Sequence, residues 1–565
     1  MVTRLEIAGR PDLRDPRGAH AAGRIRNFLG IPVEQVRTRD VYRLEADLHD
    51  GEAEKVLEEF TDPVLHRGGL GRVEADRFDF AVSVAFKPGV TDPVGKSAMV
   101  AVQDTLGRLL TLAGGEEPAV YSSTLYLLTG VTRDQAETIG TSLLANPVIQ
   151  TITIRSWDEW SSSDPDMTVP RVPAQHRPEV QRYDLSGSDD ELLAISRKGL
   201  LSLSIQEMHA IRDHFLAAGN DPARTGLGLD HRPTDVELEC LAQTWSEHCK
   251  HKIFNATVTY HEDGKEPETI KSLFKTWIMG ATKDIGAPWL VSVFHDNAGV
   301  VTFDEQIHLV YKVETHNSPS ALDPYGGAIT GIVGVNRDPF GTGLGAHLLA
   351  NVWGYCFGSP FHEGDLPKGL LHPRRVRDGV HQGVIDGGNQ SGIPYGRGWE
   401  VFDHRYLGKP LVFCGTVGAL PVTIAGGPGE EKAALPGDRI VMTGGRIGAD
   451  GIHGATFSSA ALDESAPVQA VQIGDPITQK RMFDFLLVAR ERGLYNAITD
   501  NGAGGLSSSV GEMAEQSGGA RLDLSQAPLK YAGLSTWEIL LSEAQERMTL
   551  AVSPKKIDEF LELAR

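Results

Sequence analysis

Residues 311–338 read YKVETHNSPSALDPYGGAITGIVGVNRD, which puts a lysine, a glutamate, a histidine, an arginine and an aspartate into one short span. Lys312, Glu314 and His316 alternate, so if the apolar lead-in at 307–313 is a strand, all three side chains leave it on one face. Gly326, Gly327, Gly331 and Gly334 are expected to let backbone N–H groups approach an anion, with Arg337 and Asp338 closing the segment. A cation, an acid, a base and a glycine cradle together suggest phosphate chemistry with a metal ion. Singly, each signal is weak, because alternating Lys and Glu usually mark a solvated face and glycine runs are often turns. No Gly-Lys-Ser/Thr follows the glycines and the G-x-G-x-x-G spacing is missing, so neither a Walker loop nor a dinucleotide fingerprint is present.

Two other stretches carry reactive residues. In PTDVELECLAQTWSEHCKHKIF, Thr234 and Glu237 make a capping box that starts a helix, and helical spacing brings His248 to the face of Leu241, Thr244 and Trp245. A lone histidine there is more often a satisfied core residue, yet the polar run through Ser246, Glu247, His248 and Lys250-His251-Lys252 strains a purely structural reading. In AITDNGAGGLSSS, Asp500 follows an extended run and precedes a glycine turn into a helix, which sets a carboxylate beside a helix N-terminus, a possible metal corner. Asp450 and His453, in GGRIGADGIHGATF, could meet a phosphate or shape the turn, and the structural reading is preferred for both.

These residues need several domains to position them, since 565 residues exceed one ordinary core. The net charge of −21 disfavours nucleic acid as a partner and leaves anionic phosphates dependent on local cations or Mg²⁺. Cys240, Cys249, Cys356 and Cys414 form no C-x-x-C pair, so zinc sites and structural disulfides are not expected. The start lacks a signal-peptide core and no apolar run could cross a bilayer, which points to a cytoplasmic protein without a membrane partner. Pro11, Asp15, Pro16 and Gly18 recur as Pro88, Asp92, Pro93 and Gly95, and alternating apolar residues at 42–48 and 78–86 mark strands. Residues 1–156 are therefore read as a small α+β unit duplicated about a shared sheet, with a Ser/Pro-rich linker at 157–188 and a helical segment at 189–235. A first larger domain spans 236–425, in which 386–399 reads as a loop, and a second spans 430–565. The apolar face of Ile557, Phe560, Leu561 and Ala564 suggests that more protein follows.

Taken together and in this order, TWSEHCKHKIF, KVETHNSPS, GIVGVNRD, GDPITQKR, TDNGAGGL and LLSEAQERM resemble the synthetase part of phosphoribosylformylglycinamidine synthase, the formylglycinamide ribonucleotide amidotransferase of purine biosynthesis. The resemblance covers residues 189–565, and the duplicated N-terminal unit resembles the small accessory subunit of the bacterial enzyme, fused and repeated. It implies an α+β fold with aminoimidazole ribonucleotide synthetase-like N- and C-terminal domains, the latter truncated, behind a tandem small α+β module. It also implies a C–N ligase that turns formylglycinamide ribonucleotide, ATP and glutamine-derived ammonia into formylglycinamidine ribonucleotide, ADP and phosphate. ATP and Mg²⁺ are the implied cofactors.

By the same resemblance His248 and His316 are the catalytic histidines, His316 as proton acceptor, while His251 and Lys312 contact the nucleotide. Glu314, Asp338 and Asp500 are the metal ligands. Thr315, His316, Asn317, Ser318, Arg337, Gln472, Glu543, Ala544 and Gln545 are the substrate contacts, with Arg337 suited to bidentate binding of a phosphate. Two departures stand out: Ser318 replaces the second histidine of the family's H-N-H-P motif, and the related second pair of domains is missing. No cysteine sits in a nucleophile elbow, so a separate glutaminase subunit is expected to supply ammonia, docked on the N-terminal repeat. The rival readings are another enzyme of the aminoimidazole ribonucleotide synthetase superfamily and a noncatalytic or incomplete nucleotide-binding derivative.

Overall fold

The repeated Asp-Pro-x-Gly signature makes the same local structure twice. Asp15 caps the helix Pro16–Leu29 by accepting from the Gly18 amide, and its other oxygen takes the Thr38 amide and hydroxyl on the neighbouring strand. Asp92 does the same for the helix Pro93–Leu106, accepting from Gly95 and from the amide and hydroxyl of Ser122. Proline at the first helical position fixes a helix-ready φ. Glycine is required because a Cβ on Gly18 would sit 2.1 Å from the Val36 carbonyl oxygen and one on Gly95 2.2 Å from that of Val120.

In the computed structural model, which describes residues 2–113, 117–147, 149–172, 179–367, 369–454 and 474–565, these two helices belong to the first of two units, residues 1–173 and 174–565. Its strands β1 (Val2–Gly9), β2 (Gln35–Glu45), β3 (His66–Leu70), β4 (Phe80–Phe86), β5 (Ala119–Thr129) and β6 (Gln150–Ser156) form one antiparallel sheet in the order β3-β1-β2-β5-β4-β6. The copies meet at β2 and β5, where Thr38 pairs with Tyr126 and Tyr42 with Ser122. The stretch after Ser156 continues this unit. Helix Trp157–Ser162 sets Trp157 and Trp160 edge-on to Phe78, and Arg43 pairs with Asp166, so the unit runs to residue 173 and the boundary drawn at 156 moves.

In the second unit, helices Asp189–Lys198, Ile205–Ala218 and Asp235–Thr244 bury Leu192, Met208, Ile211 and Leu238 against one another. A small hairpin follows, β7 (Thr257–Tyr260) with β8 (Glu268–Lys271). Strands β9 (Leu290–Ser292), β10 (Gly299–Thr302), β11 (Ile307–Thr315), β12 (His347–Phe357), β13 (Tyr395–Phe402) and β14 (Leu411–Pro421) then build a sheet ordered β13-β12-β14-β11-β10-β9, parallel only between β12 and β13. One face packs on helices Pro324–Gly341 and Pro373–Ser391 through Ala328, Ile332, Val380, Val384 and Tyr355. The other face leaves Tyr311, Val313, Trp399 and Val401 exposed. After a tight hairpin, β15 (Thr423–Ile424) with β16 (Gly427–Pro428), a three-stranded antiparallel sheet follows, β17 (Arg439–Gly444), β19 (Arg547–Val552) and β18 (Ala497–Asp500) in that spatial order. It is flanked by helices Pro476–Glu491 and Leu506–Ser517. The α+β fold expected from the sequence is the fold observed.

Two local expectations are corrected. The glycine run of 326–334 is no loop open to an anion; it lies inside the buried helix Pro324–Gly341. A Cβ on Gly327 would fall 2.5 Å from the Pro319 carbonyl carbon, and one on Gly331 3.0 Å from Cys414 Sγ, so these glycines permit close packing. Residues 386–399 are likewise not a loop, since they hold the end of helix Pro373–Ser391 and the start of β13.

Candidate active site

Strand β11 carries Lys312 and Glu314, and His316 follows directly after its end. Tyr311 and Val313 face outwards, whereas Lys312 and Glu314 turn towards the helix Pro324–Gly341, and His316 follows the strand at the N-cap of a short helix, Asn317–Leu322. Arg337 and Asp338 come from the last turns of the same helix and Asp500 from the end of β18. Together with His248, Thr315, Glu543 and Gln545 they line one cavity of about 460 Å³. Thus ten of the residues expected from the sequence meet although their elements are far apart in the chain.

The charges in this cavity are arranged in opposition. Lys312 Nζ lies 3.6 Å from Asp338 Oδ2 and donates to the Asn297 carbonyl at 3.0 Å. Arg337 donates to the Asn501 carbonyl at 2.6 Å and to Gln545 Oε1 at 2.9 Å, and stands 3.4 Å from Asp500 Oδ2. Burial pushes the Asp338 carboxyl well above its usual range, with Asp500 and Glu314 adding to the push and Lys312 opposing it. Burial alone would also raise Glu314, but Lys312, His316, His248 and Arg337 outweigh it and hold that carboxyl low. Lys312 is raised, because Asp338, Glu314 and Asp500 outweigh its own burial. Burial lowers His316 to about 4 against the pull of Glu314, and its Nε2 is buried without a hydrogen-bond partner. His248 is lowered by burial as well.

His248 reaches the cavity by a route that helical periodicity missed. Helix Asp235–Thr244, with the Thr234/Glu237 capping box in place, stops at Trp245, and Ser246 caps a new turn, Glu247–Lys250, by accepting from the Cys249 amide. The break takes His248 off the apolar face of Leu241.

Other expected residues lie outside the cavity lining. His251 is an exposed residue with φ 50° between two short helices. Asn317 is turned to β14, where its Oδ1 accepts from the Val412 amide at 2.8 Å, and Ser318 and Ala544 are buried. Gln472 lies outside the described residues. Arg337 offers no free fork, since both terminal nitrogens are engaged by the protein and only Nε is buried without a partner. A bidentate phosphate contact would have to exchange those bonds. Asp450 and His453 make internal pairs, Asp450 with Lys530 at 2.7 Å and His453 with Glu239 at 2.9 Å.

Glu512 was not singled out in the sequence, where it reads as an ordinary polar position of a helix; it lines the cavity, accepts from Thr499 Oγ1 at 2.9 Å, and its carboxyl is raised by burial and by Asp500. Among the described residues, no three His, Cys, Asp or Glu side chains form a ready-made metal cage. The donor set fits a cation of another kind, one completed by ligand oxygens. Asp338 Oδ2 is buried with no hydrogen-bond partner, and three carboxylates repel one another across the space that it borders. Mg²⁺ typically takes one or two carboxylates and fills its shell with phosphate oxygens and water.

Comparison with known proteins matches three segments to domain families. Residues 192–252 match the formylglycinamide ribonucleotide amidotransferase linker domain, 295–420 the N-terminal domain of AIR synthase related proteins, and 436–565 their C-terminal domain. The phosphoribosylformylglycinamidine synthase subunit PurL of Thermoplasma volcanium is 36% identical over 384 residues, which is 67% of this chain and 45% of the relative. That of Thermotoga maritima is 35% identical over 339 residues, 60% of this chain and 48% of the relative. The structure of T. maritima PurL complexed with FGAR is 32% identical, covers 62% of this chain and 50% of its own, and superposes with a TM-score of 0.45. This chain therefore spans about half the length of the relatives that it matches. With a linker domain followed by an N- and a C-terminal AIR synthase related domain, it is a homologue of the phosphoribosylformylglycinamidine synthase PurL subunits.

Proposed function

We propose that the cavity carries out the ATP-dependent amidation of formylglycinamide ribonucleotide to formylglycinamidine ribonucleotide. The observation that carries this reading is the convergence of Lys312, the carboxyl groups of Glu314, Asp338 and Asp500, and two histidines in one cavity, in a homologue of proteins that bear this enzyme's name. An amide oxygen is a poor leaving group. In the proposed sequence it attacks the γ-phosphorus of ATP, ADP departs, ammonia adds to the activated carbon, and phosphate leaves with the C–O bond electrons as one proton is lost. Phosphoryl transfer is served chiefly by positioning and charge neutralisation. Lys312 supplies the fixed positive charge for the phosphates. Asp338 and Asp500, with Glu314 beside them, would hold Mg²⁺, which when bound neutralises charge on the transferring phosphoryl group.

His316 is held neutral by burial, so its imidazole is available to accept the proton that ammonia loses. Phosphate charge bound beside it would raise its proton affinity towards the working range. Burial lowers His248 as well, against the pull of Glu314, so it shares the neutral state. A separate glutaminase subunit is proposed as the ammonia source, and the first unit as its docking module. A cytoplasmic setting suits this chemistry; among the described residues no helix is long and apolar enough to cross a membrane.

The test is phosphate release from ATP by the full chain with Mg²⁺ and ammonium, with and without formylglycinamide ribonucleotide. Release that depends on the ribonucleotide and is lost in His316→Ala supports the reading. Release that ignores the ribonucleotide, or survives in His316→Ala, contradicts it.

A further inference from the structure

We infer that Asn297 is a positioning residue that sets the gap between Lys312 and Asp500, the cation and the carboxylate that the proposed reaction places on either side of a metal-bound phosphate; the inference rests on that reading. The two residues come from different sheets, β11 and β18, so nothing within either sheet fixes their separation. Asn297 holds both. Its backbone carbonyl accepts from Lys312 Nζ at 3.0 Å, while its side-chain amide donates to Asp500 Oδ1 at 2.9 Å.

The loop that bears it is itself tied to three elements. Asp296 accepts from the Gly343 amide at 2.8 Å and from Lys432 Nζ at 2.6 Å. Lys432 donates in turn to the Gly341 carbonyl at 2.6 Å, at the end of the helix that carries Asp338, and to the Ile498 carbonyl at 2.9 Å, two residues before Asp500. The approach is close enough to require glycine in the helix end, since a Cβ on Gly341 would sit 2.7 Å from the Asn297 amide nitrogen. One dipeptide thus clasps the helix end, β11 and β18 together.

The consequence follows from the charges. Without the Asn297 amide, the near charged partner of Asp500 is Arg337 at 3.4 Å, which draws the carboxylate away from Lys312. Groups that orient metal ligands from behind typically contribute about 10- to 100-fold in metal affinity.

The test is Mn²⁺ binding followed by electron paramagnetic resonance, with the full chain and ADP present, in wild type, Asn297→Ala and Gly341→Ala, beside the melting of each protein without ligands. Gly341→Ala keeps the amide but forces it off Asp500. Both variants are expected to bind Mn²⁺ about tenfold or more weakly while melting within a few degrees of wild type. If wild type binds and either folded variant binds equally well, Asn297 is only a loop residue and the inference is overturned. If Asn297→Ala does not fold, Gly341→Ala decides. Wild type that binds no Mn²⁺ with ADP overturns the proposed function and this inference with it, an outcome separate from any difference among variants.

Discussion

The aspartates of the first unit and those of the second make opposite use of the same side chain. Asp15 and Asp92 each spend both oxygens on a helix cap and on the adjoining strand, so their charge is met entirely by fixed donors. Asp338 is buried among Lys312, Asp500 and Glu314 with one oxygen lacking any hydrogen bond. A buried charge without its full set of partners costs free energy. The second unit bears that cost where the first avoids it, and the difference marks which carboxylates stabilise the fold and which are kept open for a ligand.

The comparison can be broken most forcefully at Lys312. Lys312→Met should lower ribonucleotide-dependent phosphate release by about 10²- to 10³-fold, as loss of a fixed electrostatic group does; a change under tenfold would mean that its charge serves packing. The next effect is on stability. His316 binds its proton only near pH 4 when folded but near 6.5 when unfolded. The unfolded chain therefore takes up more protons as pH falls through that window, and the second unit loses about 3 kcal/mol between pH 6.5 and 4, with no further loss from this group below. His316→Gln should flatten the slope in a denaturant series, and an unchanged slope would show that other groups dominate.

Asp338→Asn should cut Mn²⁺ affinity by about 10- to 100-fold without lowering the melting temperature of the ligand-free protein, because it relieves a buried charge. A clear drop in melting temperature would place Asp338 with Asp15 as a structural carboxylate. Smallest of all, Asp15→Ala or Asp92→Ala should each cost about 1 kcal/mol, read as faster hydrogen exchange in β2 or β5, with Mn²⁺ binding unchanged. Weakened Mn²⁺ binding would contradict the division drawn here.

Period-two alternation was enough to put Lys312 and Glu314 on one side of β11, and the Asp-Pro-x-Gly spacing was enough to show two copies of one helical unit. Those are local signals, set by residues within a few positions. The glycine run of 326–334 misled because glycine's low helix propensity was overridden by tight packing: Gly331 lies against Cys414 and His316, and Gly334 against Gln545. The same holds for Gly383 and Gly387, which let helix Pro373–Ser391 close on Tyr325 and Ile332. His248 was read on a helix face because a capped break after Trp245 leaves the apolar spacing intact. Asn297 and Glu512 gave no signal, since what matters about each is a partner some two hundred or a dozen positions away in the chain, Asp500.

The most direct test of the account is an anomalous-difference map from crystals of the full chain grown with Mn²⁺ and a non-hydrolysable ATP analogue. A peak is expected between Asp338 and Asp500, with phosphate oxygens completing its shell and Lys312 on the phosphates. A map with the analogue bound but no peak there, or with the metal held by other side chains, would contradict it.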